Sequence, residues 1–330
     1  MITRRSALVS LMSLLAAPLA AGAQQAVKVY RLGVLWAIPA PATAPYRAEL
    51  EAGLRERGWV PGQNIVLEHR FSESPADFRK LPSGLVEARV DAIAAMTNAV
   101  IAAAANATTE IPIVGVYMSD PISAGFAVSL ARPGKNITGM TLDASPEAYA
   151  KQLELLKLIV PRARRVQVLR NPDFYGTFNQ HVYTTTVEKA ARSLKLEVYF
   201  SDVRNAGEIE EALGTGAQKS RSAVYAMSDI VLFVHGPLIA KLAARQRLPT
   251  IFGFREAVEA GALASYGPDL LRMPRYAASF VDRLFRGARP SDLPIEQPTK
   301  FELVINRKTA NALGLTIPPS LLLRADQVIE

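Results

Sequence analysis

From residue 30 onward the chain alternates short runs of β-branched and aliphatic residues with longer stretches whose apolar positions recur every three or four residues. Runs of the first kind fit strands buried on both faces, and stretches of the second kind fit helices lying on a sheet. Their alternation predicts an α/β fold with parallel sheets. A strand over residues 30–35 leads to a helix over 46–57, closed by Gly58, and then to a strand over 64–71. Gly58 suits the left-handed position that ends a helix. A helix over 76–88, a strand over 91–96, a helix from Asn98 and a strand over 111–117 complete the first series.

The order then restarts with a strand over 165–169, a helix over 180–194 and a strand over 197–203. A helix over 208–218, a strand over 223–227, a helix over 236–245 and a strand over 250–252 follow. Val34-Leu35 and Val168-Leu169 stand 134 residues apart, and the elements after them keep nearly that offset. Because 330 residues are too many for one ordinary core, the restart predicts two similar lobes. The turn cluster Arg132-Pro133-Gly134-Lys135-Asn136 and the apolar run 137–142 mark one crossing between them. Residues 262–266, followed by Gly267-Pro268, mark a second. A helix over 276–285 and an extended segment over 294–305 close the pattern. The expected lobes are 28–142 with about 267–292, and 143–266 with about 293–330.

Composition changes this picture at one end. Residues 1–23 carry Arg4 and Arg5, an apolar run from Ala7 to Ala21, and the small-residue end Ala21-Gly22-Ala23. The run is about 15 residues, short of the ~20 that span a bilayer, so the segment reads as a signal peptide cleaved near Ala23. Export to the periplasm is expected. Thr3-Arg4-Arg5-Ser6 also has the look of a weakened twin-arginine signal, which leaves the Sec and Tat routes both open. Lys, Arg, Asp or Glu interrupts every later apolar stretch before it reaches spanning length. The formal charge of +8 falls to +6 without Arg4 and Arg5, and the remaining basic residues are interspersed with acids. That pattern predicts a solvated surface and no nucleic-acid partner. Absence of cysteine removes disulfides, thiolate metal sites, a cysteine nucleophile and a lipid-anchoring cysteine.

In open α/β sheets a ligand lies beyond the carboxyl ends of the strands, where loops converge and helix amino ends present free N–H groups. Strand ends therefore nominate Trp36, Thr97, Asn98, Tyr117, Ser119, Asp120, Asn171, Ser228, Asp229 and Phe254, with Tyr175 and Tyr266 in nearby loops. Two readings stand for most of them. Trp36 either stacks a flat ligand or plugs the space between lobes. Asn98 either caps the helix that it opens or shares that helix end with a ligand carboxylate. Asp120 and Asp229 either start helices or turns, or supply the counter-charge for a ligand ammonium. His69, His181 and His235 sit in separate segments without metal-ligand spacing, and G-x-S-x-G, Walker and G-x-G-x-x-G patterns are absent where they would be needed. No cofactor, no metal and no enzymatic activity are expected.

Several runs carry a family likeness. They are Ile111-Pro112-Ile113-Val114 with Asp120-Pro121, Ser129-Leu130-Ala131-Arg132-Pro133-Gly134-Lys135-Asn136-Ile137-Thr138-Gly139, and Arg255-Glu256-Ala257-Val258-Glu259-Ala260-Gly261. Pro298-Thr299-Lys300-Phe301-Glu302-Leu303-Val304-Ile305-Asn306 and Ala310-Asn311-Ala312-Leu313-Gly314-Leu315-Thr316-Ile317-Pro318-Pro319-Ser320 belong with them. Together they resemble the ABC transporter substrate-binding protein family related to tryptophan- and tyrosine-binding uptake proteins. The likeness runs from about Tyr30 to Glu330. It implies a type I periplasmic binding protein fold: two Rossmann-like lobes joined by hinge strands, closing over a small ligand. It further implies a monomer that presents its ligand to an ABC permease in the inner membrane. The ligand expected first is an aromatic amino acid, with aromatic acids and other small carboxylates behind it. Asp173-Phe174-Tyr175 departs from the small or polar residues that relatives carry there. The alternative is a periplasmic sensor module serving a membrane receptor.

Overall fold

A computed structural model describes residues 28–74, 77–142, 146–173, 176–214 and 223–330. The leader, its cleavage site and Tyr175 lie outside the described residues. The strands of the first half are β1 (Tyr30–Trp36), β2 (Ile65–Phe71), β3 (Ala92–Met96), β4 (Ile113–Met118) and β5 (Ile137–Thr141). They form one sheet in the order β2-β1-β3-β4-β5, parallel throughout.

The second sheet contains β6 (Arg165–Arg170), β7 (Glu197–Asp202), β8 (Ala223–Ala226), β9 (Thr250–Phe252), β10 (Ala264–Gly267), β11 (Glu302–Asn306) and β12 (Gln327–Ile329). Its order is β12-β11-β10-β9-β8-β6-β7, so β7-β6-β8-β9-β10 repeats the order of the first sheet. Only the β10/β11 pair is antiparallel among the described pairings. The molecule is thus two α/β lobes of shared topology.

Helices cover both sheets. Those of the first half are α1 (Ala44–Arg55), α2 (Ser83–Glu87) and α3 (Asn98–Ala107). Then follow α4 (Glu147–Ile159), α5 (Gly176–Ser193), α6 (Ala206–Leu213), α7 (Ile230–Val234), α8 (Gly236–Arg245) and α9 (Arg255–Glu259). The last are α10 (Met273–Phe285), α11 (Arg307–Ala312) and α12 (Pro319–Leu322). Side-chain alternation along β1 decides what each face buries: Leu32, Val34 and Trp36 enter the core beneath α1 and α10, while Leu35 joins Leu85 and Ile93 on the opposite face.

The helix expected over 76–88 shrinks to Ser83–Glu87, because Pro82 cannot donate an interior helical bond and instead stands at the N-cap. The strand expected from Ile111 begins after Pro112 for a related reason. The helix expected over 208–218 spans Ala206–Leu213 and stops at Gly214. At the opening of α3 the cap is Thr97 rather than Asn98, and its side chain makes no capping bond.

Helix α10 lies more than two hundred residues beyond α1 in sequence yet packs against it. Gly53 makes the approach possible, since a Cβ there would stand 2.5 Å from the Arg275 carbonyl oxygen. Arg275 pairs with Glu49 at 3.2 Å and also with Glu56, and the Trp59 indole N–H donates to Asp282 at 2.9 Å. Farther on, Ile295 enters the first lobe's core and the Glu296 N–H donates to the Gly139 carbonyl at 2.9 Å, before β11 joins the second sheet. Contacts thus change lobe after β5, after β10 and again before β11.

Candidate ligand-binding site

The carboxyl ends of the two sheets face one another across a cavity. From the first lobe its wall is Trp36, Ala37 and Ile38 after β1, Tyr46 in the first turn of α1, Met96 and Thr97 at the end of β3, and Tyr117 in β4; Leu142 and Leu270 add apolar edges. From the second lobe come Asp229, Ile230 and Phe233 around α7, and Phe254 after β9. The space not filled by protein is about 600 Å³, part of it open to solvent. No Lys, Arg or His lines it among the described residues.

Most polar groups on the first wall are already satisfied within the protein. The Trp36 indole N–H donates to His69 Nδ1 at 3.1 Å, and the Tyr117 hydroxyl donates to the Leu270 carbonyl at 2.8 Å. Burial pushes the Tyr117 phenol well above its ordinary pKa, so it stays protonated. Thr97 spends its backbone N–H on the Val116 carbonyl and accepts from the Ile101 N–H, which seats the amino end of α3 at the cavity rim.

On the second wall the chemistry concentrates in Asp229, whose residue is 1% exposed. Its Oδ1 accepts from the N–H groups of Val231 and Leu232 at 2.7 and 3.0 Å, capping α7. Its Oδ2 is equally buried but completes no hydrogen bond. Burial pushes the carboxyl up to about 7, against the N–H groups of Leu232 and Val231 and the nearby Asn171, which all favour its charged form. The capping reading of Asp229 is thus met by Oδ1, and Oδ2 takes no part in it. A contact between lobes stands nearby: the Tyr46 hydroxyl reaches Glu256 Oε1 at 3.5 Å, and burial likewise pushes Glu256 up to about 7. Phe254 packs edge-on against Phe233 and enters the core of the first lobe.

Of the residues nominated from the sequence, Trp36, Thr97, Tyr117, Asp229 and Phe254 meet in this cavity. Asn98 lies one step outward, lining a neighbouring hollow with Thr97, Asp173 and Ile230. Its side chain is tied to Ser119, donating to the carbonyl at 2.6 Å and accepting from the N–H at 2.9 Å. Asp120 does not line the cavity. It holds a turn, with Oδ1 accepting from the Ser123 N–H at 3.2 Å. Asn171 is buried beside Asp229 and accepts from the Asp173 N–H at 3.1 Å. Ser228 is buried behind its neighbour, close to Gly253. Tyr266 stacks on Phe301 at 5.5 Å, away from the cavity. Tyr46, Phe233 and Leu270 were not nominated, because none stands directly at a strand end.

Comparison with known proteins places this geometry. The profile of the ABC transporter substrate binding protein family matches residues 31–329. A tyrosine-binding protein of Clostridioides difficile (strain R20291) is 25% identical over 289 residues, covering 87% of this chain and 82% of that one. An ABC domain from Streptococcus pneumoniae, solved in complex with L-Trp, superposes with a TM-score of 0.82 at 24% identity, over 91% of this chain and 99% of that one. A ligand-free, open substrate binding protein from Clostridium difficile gives 0.69 at 24% identity over the same shares. Among the described residues no helix is long and apolar enough to cross a membrane. Since the match takes in both lobes and every strand lining the cleft, the chain belongs to the ABC transporter substrate binding protein family.

Proposed function

We propose that the chain is the periplasmic component of an ABC uptake system and captures an aromatic α-amino acid between its lobes, as a monomer that delivers to an inner-membrane permease. The carrying observation is the buried carboxyl of Asp229, one of its oxygens without a partner, on the wall of a cavity with aromatic sides. A ligand ammonium would satisfy that oxygen and return the carboxyl to its charged form. The ring would rest among Trp36, Tyr117 and Phe254, and the carboxylate would face the amino end of α3 at Thr97, where the helix carries partial positive charge. Ligands named for the relatives, tyrosine and L-Trp, belong to this class.

Closure is the working motion, and no covalent step is part of it. The Tyr46–Glu256 contact between lobes, together with Phe254 packed in the opposite core, supports a closed arrangement here. The proposed lobes are 28–142 with about 267–292, and 143–266 with about 293–330; Ile295 and Glu296, by their contacts, extend the returning segment of the first to about 296. The leader over residues 1–23 directs export in this reading.

Calorimetry with L-tyrosine, L-tryptophan and 3-(4-hydroxyphenyl)propionate tests the ligand class. The amino acids should bind, and the propionate, which lacks only the ammonium, should bind at least ten-fold more weakly, as loss of a charge-assisted hydrogen bond of about 1.5–3 kcal/mol requires. Equal affinity for the propionate, or no binding of either amino acid, would sink the reading.

A further inference from the structure

The back of the Trp36 wall carries an arrangement that substrate binding alone does not account for. We infer that His69 is a positioning residue for the ligand cleft, fixing the Trp36 indole through the hydrogen bond it accepts from the indole N–H. This inference rests on the reading of the cleft as the binding site for an aromatic amino acid.

The register places the two side chains together. Val34 pairs with His69 and Trp36 with Phe71, so in parallel strands all four project to one face. β2 is the edge strand of its sheet, and His69 reaches from it to Trp36 Nε1 at 3.1 Å. His69 does not line the cavity and Trp36 does, so the indole N–H points out of the cavity into the protein. The ligand then meets a ring surface and no donor. Trp36 is 2% exposed, so its N–H has no water to turn to if His69 is lost. A released indole would swing its donor or its edge into the cavity and alter the shape that an aromatic ligand must match.

Accepting at Nδ1 requires His69 to carry its proton on Nε2. A second proton would put an N–H against the indole N–H and break the bond. The surroundings oppose that proton. Burial holds the His69 pKa below its ordinary value, the Arg47 guanidinium on α1 adds to the effect, and Glu51 on the same helix works against it. On its own strand, Arg70 donates to the His69 carbonyl at 3.0 Å. From β1 the facing group is Trp36 itself, and Phe71 stacks on the imidazole at 5.9 Å with Arg47 over its ring. The bond is thus intact at neutral pH and opens on acidification below the ordinary histidine value.

The sequence offers a clean probe, since Trp36 and Trp59 are its two tryptophans. In Trp59→Phe, emission reports Trp36 alone, and it should show one transition below pH 6.5 that Trp59→Phe/His69→Gln lacks. The glutamine amide still offers an acceptor but does not titrate. With L-tyrosine as probe, His69→Leu should weaken binding about ten-fold and His69→Gln less than three-fold. In a Trp36→Phe background, which has no indole N–H, adding His69→Leu should change affinity less than two-fold. Unchanged affinity in His69→Leu, or the same loss with and without Trp36, overturns the inference. If the unaltered protein binds neither L-tyrosine nor L-tryptophan, the aromatic reading fails separately. Trp36 emission then decides the role of His69: a transition abolished by His69→Gln upholds it, and a flat profile overturns it.

Discussion

The two walls of the cleft come from sheets of the same strand order and do opposite work. On the first, Trp36 and Tyr117 spend their polar atoms on His69 and Leu270, so what they offer the cavity is shape. On the second, Asp229 spends one oxygen on α7 and keeps the other unpaired. A duplicated scaffold can therefore divide recognition into an apolar half and an ionic half. The indole of Trp36 and the hydroxyl of Tyr117 are both held by bonds within the first lobe. The second half keeps one buried carboxylate oxygen without a partner, and a ligand that paired with it would supply the differential interaction that the proposed lobe closure requires.

If that division holds, substitutions on the two walls should separate stability from ligand chemistry. Trp36→Ala removes the largest buried side chain of the first wall and should lower unfolding free energy by about 3–5 kcal/mol, measured by denaturant titration without ligand. A loss under about 1 kcal/mol would mean that Trp36 lies loosely against solvent and is no packing element.

Asp229 should behave in the reverse sense. Its pKa is raised from 3.8 to about 7 in the folded protein, so between those values the unfolded chain gives up a proton that the folded chain keeps. Stability from this group is therefore full below the lower value, falls as pH rises, and levels off above about 7. The slope is at most about 1.4 kcal/mol per pH unit. Asp229→Asn still caps α7 through its amide oxygen and removes the titration, so its melting temperature should gain on the parent's between pH 5 and 7 and hold that gain at pH 8. A difference that stays flat across this range would place an ionised, hydrated Asp229 in the ligand-free protein and break the comparison.

The smallest effect belongs to the contact joining the walls. At 3.5 Å the Tyr46–Glu256 hydrogen bond is long. Tyr46→Phe should cost less than about 0.5 kcal/mol and shift L-tyrosine affinity less than two-fold by calorimetry. A ten-fold loss would make this contact a latch for closure.

Much of this was legible beforehand, for identifiable reasons. Continuous apolar runs marked β3, β4 and β8, and the strand-end rule reached Asp229 with no knowledge of the partner lobe. The same rule misplaced Asp120 and Ser228, because it marks a neighbourhood and not a direction: a turn draws the first away, and the residue beside Asp229 faces the other side. Tyr46 and Leu270 escaped it altogether. One sits on a helix that follows a loop and the other on a crossing between lobes, so their place at the cavity is settled only when α10 docks. Helix α4 was missed although Tyr149, Gln152, Leu153, Leu156 and Ile159 repeat at helical spacing, a signal present in the residues but passed over.

The docking of α10 on α1 also sets an order of events. Leu50 and Leu54 of the first lobe bury against a core that includes Ala277, Phe280 and Val281, and these residues are made only after strands β6 to β10 of the second lobe. The entropy of closing so long a loop must be overcome before the first core is complete, whereas strands β6 to β10 follow one another without leaving their own sheet. The second core waits longer still, because Leu303, Val304, Ile305 and Ala310 belong to it and follow α10 along the chain. In order of synthesis, the half of the cleft that supplies the shape is therefore complete before the half that carries the charge.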